Sequence, residues 1–339
     1  MQPNNWYSIR GFHNPTWWNR NSPAPAPAPA PAPPPPPPSP TTILRYNTAQ
    51  PTNPFTWGGV TFTLDTNLPS HSYTATTTSI PSSTVPNPTQ LTQVTIGSTV
   101  ARIGLNAFYG CIQLATVTFT GTSALLNIGI SAFAGCTALT TIAIPASVGD
   151  IGYGAFSYSG LASVTFTFTG TSGLQRILTD AFQGCTALTT VAIPASVTYI
   201  GTRAFDACIQ LATVTLPTNP LFTIINVATF QGCTALTTIA IPASVTSISD
   251  NAFAGCTALT TIAIPDSVAS IGDDAFESCA SLTSIAIPAS VANIGSTAFT
   301  SSGLATVTIA DNQNISGITI NSPDNGVSFF GAINVNTIP

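Results

Sequence analysis

Residues 252–274 read AFAGCTALTTIAIPDSVASIGDD, and the reading of this one stretch decides the fold. Leu259, Ile262 and Ile264 follow the spacing Leu-x-x-Ile-x-Ile, the alternation of a short strand with one buried side. Pro265 comes next and cannot donate to a ladder, so the strand ends there. Val268 and Ile271 point inward again after a turn, and Ala275-Phe276 opens the next copy. Working outward, Phe recurs at 108, 133, 156, 182, 205, 230, 253, 276 and 299, in steps of 23 to 26 residues. Ala precedes it each time except at Thr229. Self-similarity at this period predicts a β-rich solenoid, whose units bury a core only by stacking. Strands from Leu91–Ile96 to the segment 304–309 would stack into a ladder about 45 Å long at ~4.8 Å spacing.

The recurrent pattern is Ala-Phe-x-Gly-Cys-x-x-Leu-x-x-Ile-x-Ile-Pro-x-Ser-Val-x-x-Ile-Gly, clearest at 181–201 and 252–272. It resembles the BspA-like class of leucine-rich repeats across residues 91–310. The resemblance implies a curved solenoid of nine to ten coils of 23–26 residues with a parallel sheet on its concave side. It also implies work at surfaces, since similar repeats occur in surface and adhesion proteins of bacteria and parasitic protists and in large DNA viruses.

Composition narrows the function classes. Of 339 residues only 5% are charged, with six Arg, eleven acidic side chains, two His and no Lys, against about a quarter in an ordinary soluble protein. A net charge of −5 offers no basic footprint for nucleic acid. Thr, Ser, Gly and Pro interrupt every apolar run before the ~18 residues a spanning helix needs, so membrane insertion is not expected. General acids and bases are scarce, and no phosphate loop, His-Glu-x-x-His or nucleophile elbow appears. We therefore expect a non-enzymatic protein without cofactor or catalytic residues.

Composition shifts mark five segments: an aromatic peptide (1–22), a Pro-Ala tract (23–40), an irregular N-terminal cap (41–90), the solenoid (91–310) and a C-terminal cap (311–339). Pro fixes φ and removes donors, so the tract reads as a stiff polyproline II spacer of about 3.1 Å per residue. Trp6, Trp17 and Trp18 on that spacer are candidates for docking into a neighbour. Residues 1–22 lack the apolar core of a secretory signal. In the C-terminal cap, Ile315, Ile318 and Ile320 imitate another strand, while Val327, Phe329 and Phe330 would cover the last coil.

Seven cysteines, Cys111, Cys136, Cys185, Cys208, Cys233, Cys256 and Cys279, each lie three residues after the repeat Phe. Ser159 and Ser302 take that place in the two units reading Ser-Gly-Leu. The odd number and the spacing of a full repeat favour small buried residues, with inter-coil disulfides or reactive thiols as alternatives. The structural core is thus read as the Phe108, Phe133, Phe182, Phe205, Phe253 and Phe276 row with Cys136, Cys185 and Cys256 beside it.

The outward strand positions form two columns. One contains Thr141, Thr190, Thr213, Thr238 and Thr261, and the other alternates Thr with Ala, as at Ala143, Thr165, Ala192 and Thr215. These Thr residues are the candidate partner-binding face, or plain filling of a regular sheet. Longer units insert residues after the strand near 120–127, 167–176 and 218–223, with Arg176 on that ridge. Asp250 and Asp273 stack three residues before their Phe, as solvated turn charge or, as the alternative, a Ca²⁺ site. The expected partners are other proteins of a large assembly, such as a capsid, with a virion or other extracellular surface as the location. A surface adhesin holding a host protein or glycan is the alternative, and ice binding a second one.

Overall fold

A computed structural model describes residues 40–50, 52–167, 173–310 and 334–338, all within the compact unit Pro37–Pro339. Residues 1–39, part of the insertion near 167–176, and the cap residues Ile315 to Phe330 lie outside them. We number the coils 1 to 9 by the Phe each carries, from Phe108 to Phe299.

Small β-favouring residues alternating with Ile, Val and Leu fold the first strand of each coil. In Thr238–Ala240 and Thr261–Ala263 the central Ile is buried while Thr and Ala are exposed. Equivalent strands run from Leu91–Ile96 to Thr306–Ala310 and stack parallel, with Thr190 opposite Thr213, Val191 opposite Val214 and Ala192 opposite Thr215. The ladder is not continuous. Pairing lapses after Thr116–Phe119, Thr213–Thr215 and Thr261–Ala263, and thins to Ser163 opposite Thr190 alone after Ser163–Phe166. Three of these four weak joints follow the strands that carry the insertions, where extra residues lead the chain away from its neighbour.

A second parallel ladder was not expected. Two-residue strands stack from Ser79–Ile80 through Asp150–Ile151 and Arg176–Ile177 to Asn293–Ile294, with one lapse between Tyr199–Ile200 and Ile224–Ile225. Each pair keeps one residue inward, as Ile151 and Ile177, and one outward, as Asp150 and Arg176.

Between the ladders runs the Phe column. Successive rings from Phe108 to Phe299 stack at 5.2–5.7 Å and are almost wholly buried. Parallel offset rings at this distance contribute about 0.5–1.5 kcal/mol per pair beyond their area. Left-handed backbone turns the corner on both sides of the ring: Asp180 (φ 58) and Gly184 (φ 67) around Phe182, Ala228 (φ 54) and Gly232 (φ 67) around Phe230. Position two after Phe is Gly in five coils because L side chains resist that conformation. In the shorter Ser-Gly-Leu units the glycine answers a different need. A Cβ on Gly160 would lie 2.0 Å from the carbonyl oxygen of Thr137, and on Gly303 2.0 Å from that of Ala280.

Where the sequence suggested an irregular cap, the structure has regular antiparallel strands. Thr41–Tyr46 pairs on one side with Ser72–Thr76 and on the other with Leu91–Ile96. Phe55–Trp57 and Val60–Leu64 form a hairpin across Gly58-Gly59. Tyr46, Phe55, Trp57, Phe62 and Tyr73 are buried together, and Trp57 sits edge-on to Phe108 at 5.6 Å, closing the ring column. At the other end Asn334–Ile338 pairs parallel with Thr306–Ala310. The described residues contain one 3-10 turn, Pro88–Gln90, and no helix long and apolar enough to cross a membrane.

Candidate functional site: the threonine face

The first ladder places its outward columns side by side, so Thr141, Thr190, Thr213, Thr238 and Thr261 share one exposed face. Their hydroxyls differ from those of two flanking threonines. Thr189 Oγ1 donates to the Ala162 carbonyl at 3.4 Å and Thr260 to the Thr237 carbonyl at 3.2 Å, each reaching back one coil. Among the described residues, none of the five face threonines has a side-chain hydrogen bond. The Thr189 and Thr260 hydroxyls fasten coils together, and those on the face are available to water or a ligand.

At the first weak joint the face deepens into a cavity of about 760 Å³. Thr116, Thr118 and Phe119 line one side, Thr141 and Ala143 the other, and Gly121, Thr122 and Ser123 of the insertion form a wall. No charged residue lines it, so the cavity suits a neutral polar surface better than an ion. A smaller hollow of about 200 Å³ lies at the cap end, where Arg45 joins Gln93, Thr95 and Ser72. Sequence reasoning missed Arg45. Its signal was the alternation of Thr41 to Tyr46, which puts Thr41, Ile43 and Arg45 on the side of Gln93 and Thr95.

Other candidates fall elsewhere. Trp6, Trp17 and Trp18 lie outside the described residues. Arg176 belongs to the second ladder rather than to an inserted ridge, and its guanidinium grips Asp150 through Nε–Oδ1 at 2.7 Å and Nη2–Oδ2 at 2.8 Å. Asp250 accepts the backbone N–H of Asp273 at 2.9 Å, a stitch between coils 7 and 8. All seven thiols are buried and unbridged. Six of them donate to the carbonyl of the Phe in the coil below, as Cys208 to Phe182 and Cys256 to Phe230, both at 3.2 Å. Burial pushes the Cys185 thiol up to about 11 and the Cys279 thiol to about 12, so both stay protonated and poorly nucleophilic.

Comparison with known proteins agrees with this architecture. No curated protein matches the sequence. A leucine-rich repeat protein from Bacteroides ovatus superposes with a TM-score of 0.52 at 22% identity, over 87% of this chain and 75% of the other. The pneumococcal vaccine antigen PcpA gives 0.49 at 22% identity, over 70% of this chain and 68% of its own. At such identity the likeness to the Bacteroides protein speaks for the fold alone. The sequence model of the BspA type leucine rich repeat region, six copies, matches residues 58–173, 167–237 and 223–322. With the repeat, the stacked coils and that match in agreement, the chain belongs to the BspA-type leucine-rich-repeat family.

Proposed function

We propose that the chain is a non-enzymatic interaction protein of surface-adhesin type, which holds an uncharged protein or glycan surface on its threonine face. The observation that carries this reading is the set of unengaged hydroxyls on Thr141, Thr190, Thr213, Thr238 and Thr261, displayed side by side on one exposed face. Two parallel ladders, one with Thr141, Thr190 and Thr213 and the other with Thr238 and Thr261, display them with little further ordering cost, which favours binding. The nearly charge-free surface selects against ionic ligands. The narrower expectation of a capsid component, anchored through residues 1–22, draws no support from the fold or the relatives, and the interaction role does not depend on it.

The test is the double variant Thr190→Arg, Thr238→Arg, compared with the parent on immobilised extracellular-matrix proteins and neutral glycans. Two unpaired charges at a buried contact should weaken binding on the order of 100-fold, with the circular dichroism spectrum unchanged. Equal binding by both proteins would exclude this face.

A further inference from the structure

The sheet that carries the first threonines does not stop at the first coil. Antiparallel pairing continues it from Leu91–Ile96 into Thr41–Tyr46 and Ser72–Thr76, so Ile43 stands beside Thr95 and Arg45 between Gln93 and Ser72. These residues line the 200 Å³ hollow, with Leu68 and Pro69 as its wall. Ser72 Oγ donates to the Pro69 carbonyl at 2.6 Å and so fixes that wall. Among the described residues that line the hollow, only Arg45 is charged. It is half-buried and lacks a counter-charge. Of the other described arginines, Arg176 pairs with Asp150, Arg203 pairs with Asp180, and Arg102 is exposed to water. Asp65 bonds to Ser72 in the same cross-strand row, but its carboxylate accepts the Asn67 N–H at 2.9 Å instead. Among the described residues the Arg45 guanidinium, the Gln93 amide and the Thr95 hydroxyl have no partner in the chain. Drawing a cation part-way out of water without a partner is destabilising, and an anion in the hollow would relieve it.

We propose that this hollow binds a uronic acid, the single acidic unit of an otherwise uncharged glycan. The guanidinium fork matches a carboxylate in two parallel hydrogen bonds. Gln93 and Thr95 offer donors and acceptors to ring hydroxyls, while Ile43, Leu68 and Pro69 give an apolar bed for the C–H face of the ring. At about 200 Å³ the hollow is smaller than the ~300 Å³ at which ordinary ligand pockets begin, so it takes one ring of a chain. An acidic peptide is the other source of a carboxylate, and the backbone speaks against it. Thr41–Tyr46 is paired on both sides, with Ser72–Thr76 and Leu91–Ile96, so it offers no free strand edge to hold an extended peptide. The assignment rests on the reading of the threonine face only for the path of the rest of the glycan.

The experiment titrates the full chain with methyl glucuronide, a single ring, and follows the amide NMR shifts of Gln93 and Thr95. A ligand of this size should bind with a constant of about 1 mM at low salt. Its methyl ester, which has the same ring without the charge, should bind at least about 10-fold more weakly, as should the acid to Arg45→Gln. Arg45→Gln should leave the weak binding of the ester unchanged, which a loss of structure would not do, and circular dichroism checks the fold. Arg45→Lys keeps the charge without the fork and should fall between parent and Arg45→Gln. The ring is too short to reach Thr190, so the double variant Thr190→Arg, Thr238→Arg should bind it as the parent does. Failure of the threonine face and failure of the hollow are thereby told apart. No shift by about 10 mM overturns the proposal, as does equal binding of acid and ester or equal binding by Arg45→Gln. Tighter binding of N-acetylglutamate amide than of the glucuronide overturns the sugar in favour of a protein ligand.

Discussion

The thiol of Cys208, 3.2 Å from the Phe182 carbonyl oxygen, shows what a repeat asks of one residue. The position needs a small apolar body with a donor long enough to reach the coil below, and cysteine combines both. Where Ser159 stands in, its hydroxyl meets Cys185 Sγ at 3.4 Å instead. Burial makes Cys185, Cys208, Cys233, Cys256 and Cys279 hard to ionise, and the sign of the pH effect follows. A thiol titrates near 9.0 when unfolded, while Cys279 in the fold titrates at about 12. Its contribution is full below pH ~9 and is lost as pH rises from there towards 12, because only the unfolded chain then releases the proton. Each such thiol should remove about 1.4 kcal/mol per pH unit in that window. Guanidinium unfolding midpoints should thus be level from pH 7 to 8.5 and fall above ~9, less steeply in Cys279→Ala. A midpoint independent of pH up to 11 would contradict this account.

At the scale of the element, the corner around each Phe fixes the coil, and its left-handed residues are the places to test it. Ala207 holds φ 56 where five other coils use glycine. Ala207→Gly should therefore stabilise the protein by about 1 kcal/mol, a gain read as a higher thermal midpoint, although glycine normally destabilises. No change, or a loss, would mean that the corner is relaxed with alanine. This element also shows what the sequence can and cannot reveal. The Phe column, the strand spacing at Leu259, Ile262 and Ile264, and the outward threonines were legible because burial at a fixed period writes itself into residue type. Tyr199–Ile200 and Ile224–Ile225 were not, since two residues cannot display an alternation and their partners are a whole coil away. Arg176 was misplaced for the same reason, its strand being only Arg176–Ile177. The cavity beside Thr141 was hidden because it depends on how far an insertion spreads two backbones, which residue types do not encode.

For the whole solenoid, stability is close to a sum of coil terms and neighbour terms, so the ends decide where unfolding starts. The N-terminal end is closed by Trp57, whose ring covers Phe108 and whose Nε1–H donates to the Ser83 carbonyl at 2.9 Å. The C-terminal coils bury three hydroxyl oxygens without partners, those of Ser290, Thr300 and Ser302, against Tyr46 Oη and Gln50 Nε2 in the N-terminal cap, each at a cost of about 1–3 kcal/mol. In the parent chain, amide exchange followed by mass spectrometry should therefore open coil 9 first and the coils of Phe182 and Phe205 last. Trp57→Ala should cost about 3–5 kcal/mol locally by uncovering the Phe108 ring. Neighbour coupling confines that loss, so coils 1 and 2 should become the fastest to exchange while coils 7 and 8 keep their protection. If every coil instead lost protection equally, the stack would be one cooperative block and the end-first picture would fail.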